Sequence, residues 1–128
     1  MAIRIGIAGI AGRMGRLLAE ETEAAGCILA GGTLGHSGRP GPAGATILPD
    51  ATALFAASDV VIDFTHAHTA PVHAAAAVAA GKPLILGSSG LSAEEEAAVA
   101  EAAKRVPIVY AANFAPGVNL FLAIAERM

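Results

Sequence analysis

One cysteine, one tyrosine and no tryptophan stand among the 128 residues, and aromatic side chains make up only 4% of them. A single thiol excludes an intrachain disulfide, and the apolar neighbours Ile28 and Leu29 mark Cys27 as a buried group rather than a nucleophile. Because the chain is nonetheless 55% hydrophobic, its core has to be assembled from Ala, Val, Ile and Leu, which let helices lie close to a sheet. No apolar run approaches the ~20 residues of a membrane span. The first residues also lack a basic segment leading into an apolar core and a cleavage site, so the expectation is a cytoplasmic protein without a membrane partner. Charge is scarce as well: 15% of residues, a net charge of −3 and no basic stripe, which argues against nucleic acid as a partner. Neither an internal repeat nor a low-complexity linker occurs, and the length suits one domain with a real core.

What the chain does have is a glycine turn near its start, Gly9-Ile10-Ala11-Gly12-Arg13-Met14-Gly15. Before it, residues 3–8 suit a short strand; after it, Met14, Leu17 and Leu18 opposite a charged face at 20–23 give helical spacing. Three glycines at three-residue intervals permit a tight turn, let backbone N–H groups approach a ligand, and let the helix lie close on the strand. The first helical turn then aims unpaired N–H groups and the positive end of the helix dipole at whatever sits in front of the loop, an arrangement suited to a pyrophosphate.

Further along, Ala25-Gly26 reads as a helix stop and residues 27–32 as a second strand, which a right-handed crossover places parallel to the first. Residues 33–49 turn to Gly, Pro, Ser and Thr and predict a mobile surface loop without regular structure. A short helix over 50–57 precedes a nearly all-apolar third strand over 60–64, with Thr65 at its exit. Thr69-Ala70-Pro71 starts an alanine-rich helix that stops at Gly81. Residues 83–86 form strand four and lead into Gly87-Ser88-Ser89-Gly90. Ser92 and Glu95 fit a capping box for a helix to about residue 105. Strand five follows at 107–111, then a loop at 113–117, and a helical pattern over 118–128 within which the chain ends. Five strands alternating with helices predict an α/β fold, a doubly wound parallel sheet of the Rossmann dinucleotide-binding type, with its ligand beyond the C-terminal strand ends.

A dinucleotide site that prefers NADH places Asp or Glu about 20 residues beyond the turn, on the ribose hydroxyls. Between Glu23 and Asp50 this chain has no acidic residue; Thr33, His36, Ser37 and Arg39 stand there instead. These groups can donate to a 2′-phosphate, Arg39 through its planar fork if it is not simply solvated. NADPH is therefore expected to bind at least as well as NADH. His66, His68 and His73 lack the carboxylate or Cys partners of a metal set and are expected to point different ways, so no metal ligand is assigned. His66, at a strand end, is placed for an adenine-side or phosphate contact. Asp63 reads equally as a polar group beside the cofactor and as a partner of local backbone. Arg13 and Arg16 sit close to where phosphates would lie, and the charged face of 94–105 suits a solvated helix.

Four of the strand ends together resemble the dihydrodipicolinate (4-hydroxy-tetrahydrodipicolinate) reductases of lysine and diaminopimelate biosynthesis. The resemblance is carried by Gly9 to Gly15, by Val61-Ile62-Asp63-Phe64-Thr65, by Gly87-Ser88-Ser89-Gly90, and by Ala111-Ala112-Asn113-Phe114-Ala115-Pro116-Gly117-Val118-Asn119. It implies that Gly9, Ile10, Ala11, Gly12, Arg13 and Met14 cradle the pyrophosphate. It further implies that Gly87, Ser88, Ser89, Ala111, Ala112, Asn113 and Phe114 line the nicotinamide and ribose end, with Phe64 and Thr65 beside the cofactor. Residues 1–128 would then be the NAD(P)H-binding domain of an oxidoreductase that reduces the dihydrodipicolinate intermediate to tetrahydrodipicolinate. The family's substrate domain is marked by a paired-histidine stretch with a lysine a few residues on and then Ser-Gly-Thr, and no such stretch occurs here. No catalytic residue is therefore assigned, little turnover is expected from this chain alone, and the partners implied are a dinucleotide and that domain, in a full-length homotetramer. The alternatives are an NAD(P)-sensing regulatory module without chemistry, and a structural domain that binds no cofactor.

Overall fold

Short strands made mostly of apolar residues need cover on both faces, and the helices between them supply it. The computed structural model describes residues 2–35, 39–88 and 90–110. Its strands are β1 (Arg4–Ala8), β2 (Ile28–Thr33), β3 (Val60–Asp63), β4 (Leu84–Leu86) and β5 (Ile108–Tyr110). They alternate with α1 (Arg13–Ala24), α2 (Ala51–Ala57), α3 (Ala70–Ala80) and α4 (Ala93–Ala103). All four strand pairs are parallel, in the order β2-β1-β3-β4-β5. The chain moves outward from β1 to β2, then returns across β1 to lay down β3. That reversal opens a crevice beyond the carboxyl ends of β1 and β3, where ligands of such sheets bind.

Period-two alternation divides the core. Ile5 and Ile7 of β1, Val60 and Ile62 of β3, and Ile85 of β4 pack with Leu18 and Ala19 of α1 on one face. Ala8, Val61, Leu84 and Leu86 point the other way, against Leu54 and Phe55 of α2, Ala70, Ala74 and Ala77 of α3, and Val99 and Ala102 of α4. The small residues of α3 let it sit close to the sheet, as the composition requires.

Helix ends follow local chemistry. The Asp50 carboxylate caps α2 by accepting from the Ala53 N–H at 2.8 Å. At the other end Lys82 Nζ donates to the carbonyls of Phe55 (2.8 Å) and Ala56 (3.3 Å), satisfying groups the helix leaves open. Pro71 lies in the first turn of α3 and Gly81 closes it with a left-handed φ of 68°. Ser92 and Glu95 form both halves of the expected capping box on α4. The Ser92 backbone N–H on Glu95 holds that carboxyl below its ordinary pKa, against a smaller opposing effect of desolvation.

Two expectations need amendment. A single 3-10 turn over Ala67–Thr69 precedes α3, which the proline signal does not reveal. The stretch from 33 to 49 has no helix over its described residues, but its returning end is not free of regular pairing. Gly32 donates to the Thr46 carbonyl at 2.9 Å and accepts from the Leu48 N–H at 2.8 Å, so Ile47 bridges to the outer edge of β2. An edge strand offers unpaired backbone groups, and here the loop pairs with those of Gly32. The helix expected over 118–128, with the domain limit placed there, lies outside the described residues. Among the described residues no helix is long and apolar enough to cross a membrane.

Candidate functional site

The glycine turn is built from backbone bonds and missing side chains. Gly9 leaves β1 with φ 74°, a conformation that L side chains rarely adopt, and its carbonyl accepts the Gly12 N–H at 3.1 Å. Ile10 N donates to the Thr33 carbonyl at 3.0 Å and Gly9 N to Thr33 Oγ1 at 3.4 Å, which ties the turn to the end of β2. Gly12 is the N-cap of α1 and no side chain caps that end. The first-turn N–H groups therefore remain available to an anion, with the helix dipole behind them.

In front of that end lies a cavity of about 300 Å³. Gly9, Ala11, Gly12, Arg13, Met14 and Gly15 form its floor, Phe64, Thr65 and His66 the wall beyond β3, and Gly35 and Arg39 the side toward β2. A β-carbon on Gly12 would meet nothing nearer than the Gly9 carbonyl oxygen at 3.5 Å, so the glycine leaves open space where a diphosphate would approach. The donor set, the open floor and the position at the strand-order reversal all fit a dinucleotide.

Not every residue read from the motif reaches this cavity. The Ile10 side chain is fully buried in the core beneath the turn, so any contact it makes must come from its backbone. Gly87 and Ser88 sit at the tip of β4, outside the cavity lining: Gly87 packs against the Phe64 ring, and Ser88 Oγ is buried with no hydrogen-bond partner among the described residues. Ser89, Ala111, Ala112, Asn113 and Phe114 lie outside the described residues, as do His36 and Ser37. Arg16, expected near phosphates, instead reaches across the loop: Nη2 donates to the Pro40 carbonyl at 2.6 Å and Nε to the Ala11 carbonyl at 3.2 Å. Gly35 on the lining carries no signal in the sequence, being one of several glycines in a polar stretch.

The histidines diverge. His66 joins the cavity wall, exposed His68 faces Glu95 at 3.3 Å, and His73 on α3 is buried against Asp63 at 2.5 Å. Among the described residues no group of three or more His, Cys, Asp or Glu gathers as a metal site. Asp63 takes the local role: its Oδ1 accepts from the Thr65 N–H at 2.8 Å and from Thr65 Oγ1 at 2.5 Å. It is fully buried and is not part of the cavity lining.

Against this geometry the comparisons with known proteins agree with one another. Residues 3–114 match the family model described as dihydrodipicolinate reductase, N-terminus. The 4-hydroxy-tetrahydrodipicolinate reductase of Granulibacter bethesdensis is 55% identical over 127 residues, covering 99% of this chain and 49% of that protein. Its counterpart in Acidiphilium cryptum is 53% identical over 126 residues, covering 98% and 46%. The chain thus spans about half the length of the curated relatives it matches. Among solved structures, a dipicolinate-bound dihydrodipicolinate reductase from Paenisporosarcina superposes with a TM-score of 0.75 at 20% identity, over 94% of this chain and 51% of that one, a likeness of fold. A UDP-N-acetylglucosamine 3-dehydrogenase from Acidithiobacillus ferrooxidans follows at 0.70 and 25% identity, over 86% and 38%. With a family model that spans most of its length and relatives more than half identical to it, this chain belongs to the dihydrodipicolinate reductases and corresponds to their N-terminal part.

Proposed function

We propose that this chain is the NAD(P)H-binding part of a 4-hydroxy-tetrahydrodipicolinate reductase. The observation that carries the reading is the uncapped N-terminus of α1, opening onto a glycine-floored cavity at the reversal of strand order. The backbone N–H groups of the first turn of α1 hold the diphosphate, and Arg13 on the cavity lining adds a positive charge. Phe64, Thr65 and His66 bound the cavity on the β3 side and orient what enters it. Once bound, the reduced nicotinamide supplies a hydride. Gly87, Ser88 and Ser89, with Ala111 to Phe114, line its end of the site by family resemblance.

The dicarboxylate substrate is held by the portion of the enzyme beyond this chain, which also supplies the proton. The complete enzyme assembles as a homotetramer in the cytoplasm and serves lysine and diaminopimelate synthesis. With Arg39 on the cavity lining and no carboxylate between Glu23 and Asp50, NADPH binds at least as tightly as NADH. Calorimetric titration of this chain with each cofactor tests the reading. Binding of both, without turnover until the substrate-binding portion is added, is the expected result; no binding of either at millimolar concentration overturns it.

A further inference from the structure

The buried network behind the cavity wall is larger than a strand-end cap requires. An aspartate that closes a local turn needs one carboxylate oxygen for the N–H two residues on. Asp63 does this with Oδ1, which also accepts the Thr65 hydroxyl. Its second oxygen, Oδ2, faces Nδ1 of His73 on α3, ten residues along. The Asp63 side chain is 0% exposed and that of His73 10%, so solvent replaces neither partner. Thr65 Oγ1 lies 2.7 Å from Thr69 Oγ1, and Thr69 Oγ1 donates to the His66 carbonyl at 2.8 Å. The Thr65 hydrogen goes to Asp63 and the Thr69 hydrogen to the His66 carbonyl, so it is the bond to the Asp63 carboxylate that sets the Thr65 rotamer. The Thr65 methyl is thereby pressed toward the turn: a β-carbon on Gly9 would come within 2.5 Å of Thr65 Cγ2. Thr65 and Gly9 both line the same cavity.

We infer that His73 is a positioning residue of the dinucleotide site: from α3 it holds the Asp63 carboxylate, which sets Thr65 and the spacing between the β3 exit and the glycine turn. The inference rests on the reading of that cavity as the dinucleotide site. His73 touches no ligand itself. Removing its N–H leaves a buried carboxylate oxygen without a donor, and the carboxylate then turns, releasing Thr65.

The test compares three versions of this chain, wild type, His73→Leu and His73→Asn, by calorimetric titration with NADPH and with NADH, each scaled to the folded fraction seen by circular dichroism. An asparagine amide nitrogen can take the place of Nδ1, whereas leucine fills the space without a donor. The expected result is that His73→Leu weakens both cofactors by the same factor, about tenfold or more, and that His73→Asn restores binding to within about threefold. Equal affinity of His73→Leu and wild type, no rescue by asparagine, or unequal losses for the two cofactors overturns the inference and leaves the cofactor-binding reading intact. Failure of the wild type to bind either cofactor overturns both. Should His73→Leu not fold, proton NMR of the wild type decides. A low-field Nδ1–H resonance, absent from His73→Asn, moves when NADPH is added, and one that does not move rejects the coupling.

Discussion

The carbonyl oxygen of Gly9 occupies the place that a β-carbon on Gly15 would need, and Ile10 Cα lies 2.6 Å from the same point. Both are backbone atoms and neither can swing aside. α1 therefore docks on the turn through a contact that only glycine permits, which is the physical content of the third glycine in the motif.

Gly15→Ala is accordingly expected to destabilise the chain by about 1–3 kcal/mol, since relief requires the helix to lift off the turn. Gly12→Ala is the contrasting change. Gly12 has an ordinary φ of −75°, and a β-carbon there would make only an ordinary contact with the Gly9 carbonyl oxygen at 3.5 Å, so the fold should lose less than about 1 kcal/mol. The new methyl would nonetheless stand before the helix end, weakening NADPH by about tenfold or more. Urea unfolding and titration of the two variants separate the effects.

Gly87 and Phe64 form a second pair of this kind, because a β-carbon at 87 would run into the Phe64 ring. Gly87→Ala should displace that ring from the cavity wall and lower both stability and NADPH affinity. In the double variant with Phe64→Leu the stability losses should fall short of their sum by about 0.5–3 kcal/mol, the coupling expected of residues in contact. Additive losses in urea unfolding would show that the two do not interact.

Arg16 fastens the loop by its bond to the Pro40 carbonyl, one residue after Arg39. Arg16→Ala is expected to speed limited proteolysis between 33 and 49 and to weaken NADPH more than NADH, since Arg39 on the cavity lining is the residue proposed to meet the 2′-phosphate. An equal effect on the two cofactors would place Arg39 away from the 2′-phosphate.

Away from the site, Arg4 and Asp59 join β1 to the start of β3. The Arg4 N–H donates to Asp59 Oδ2 at 2.8 Å, its guanidinium to Oδ1 at 3.1 Å, and the Asp59 N–H returns to the Arg4 carbonyl at 2.7 Å. The Arg4 backbone N–H, followed by its guanidinium, holds the Asp59 carboxyl below its ordinary value of 3.8. A carboxyl depressed in the folded state adds stability that is full above the unfolded value and fades as pH falls through the folded one. The pair is partly exposed, so the contribution is about 0.2–1 kcal/mol. Asp59→Asn should therefore be less stable than wild type at pH 6, and the difference should shrink as pH falls below 3.8.

How far the site can be read in the sequence depends on the range of its contacts. The capping box at Ser92 and Glu95, the stop at Gly81 and the turn from Gly9 to Gly15 act within a few residues, and each stands in the sequence as a spaced pattern. The partners of the buried and crossing polar groups do not. Asp63 and His73 lie 10 residues apart, Arg16 and Pro40 24, Arg4 and Asp59 55. No local rule distinguishes His73 from His66 or His68, because what separates them is which face of α3 and which strand end they meet. Ile10 illustrates the converse: its place inside the motif suggests a ligand contact, whereas packing turns its side chain into the core.

Alternating strands and helices, the uncapped helix start behind three glycines, and the missing acidic residue before Asp50 were determined by the order of residues alone, since each works through neighbouring backbone or simple presence. The three-dimensional fold alone decided that the β3 exit faces the turn, that the loop closes on Arg16, and that a histidine on α3 reaches the strand's last carboxylate. Those contacts join segments remote along the chain, and burial makes them strong only once the sheet has fixed the distances between its strand tips.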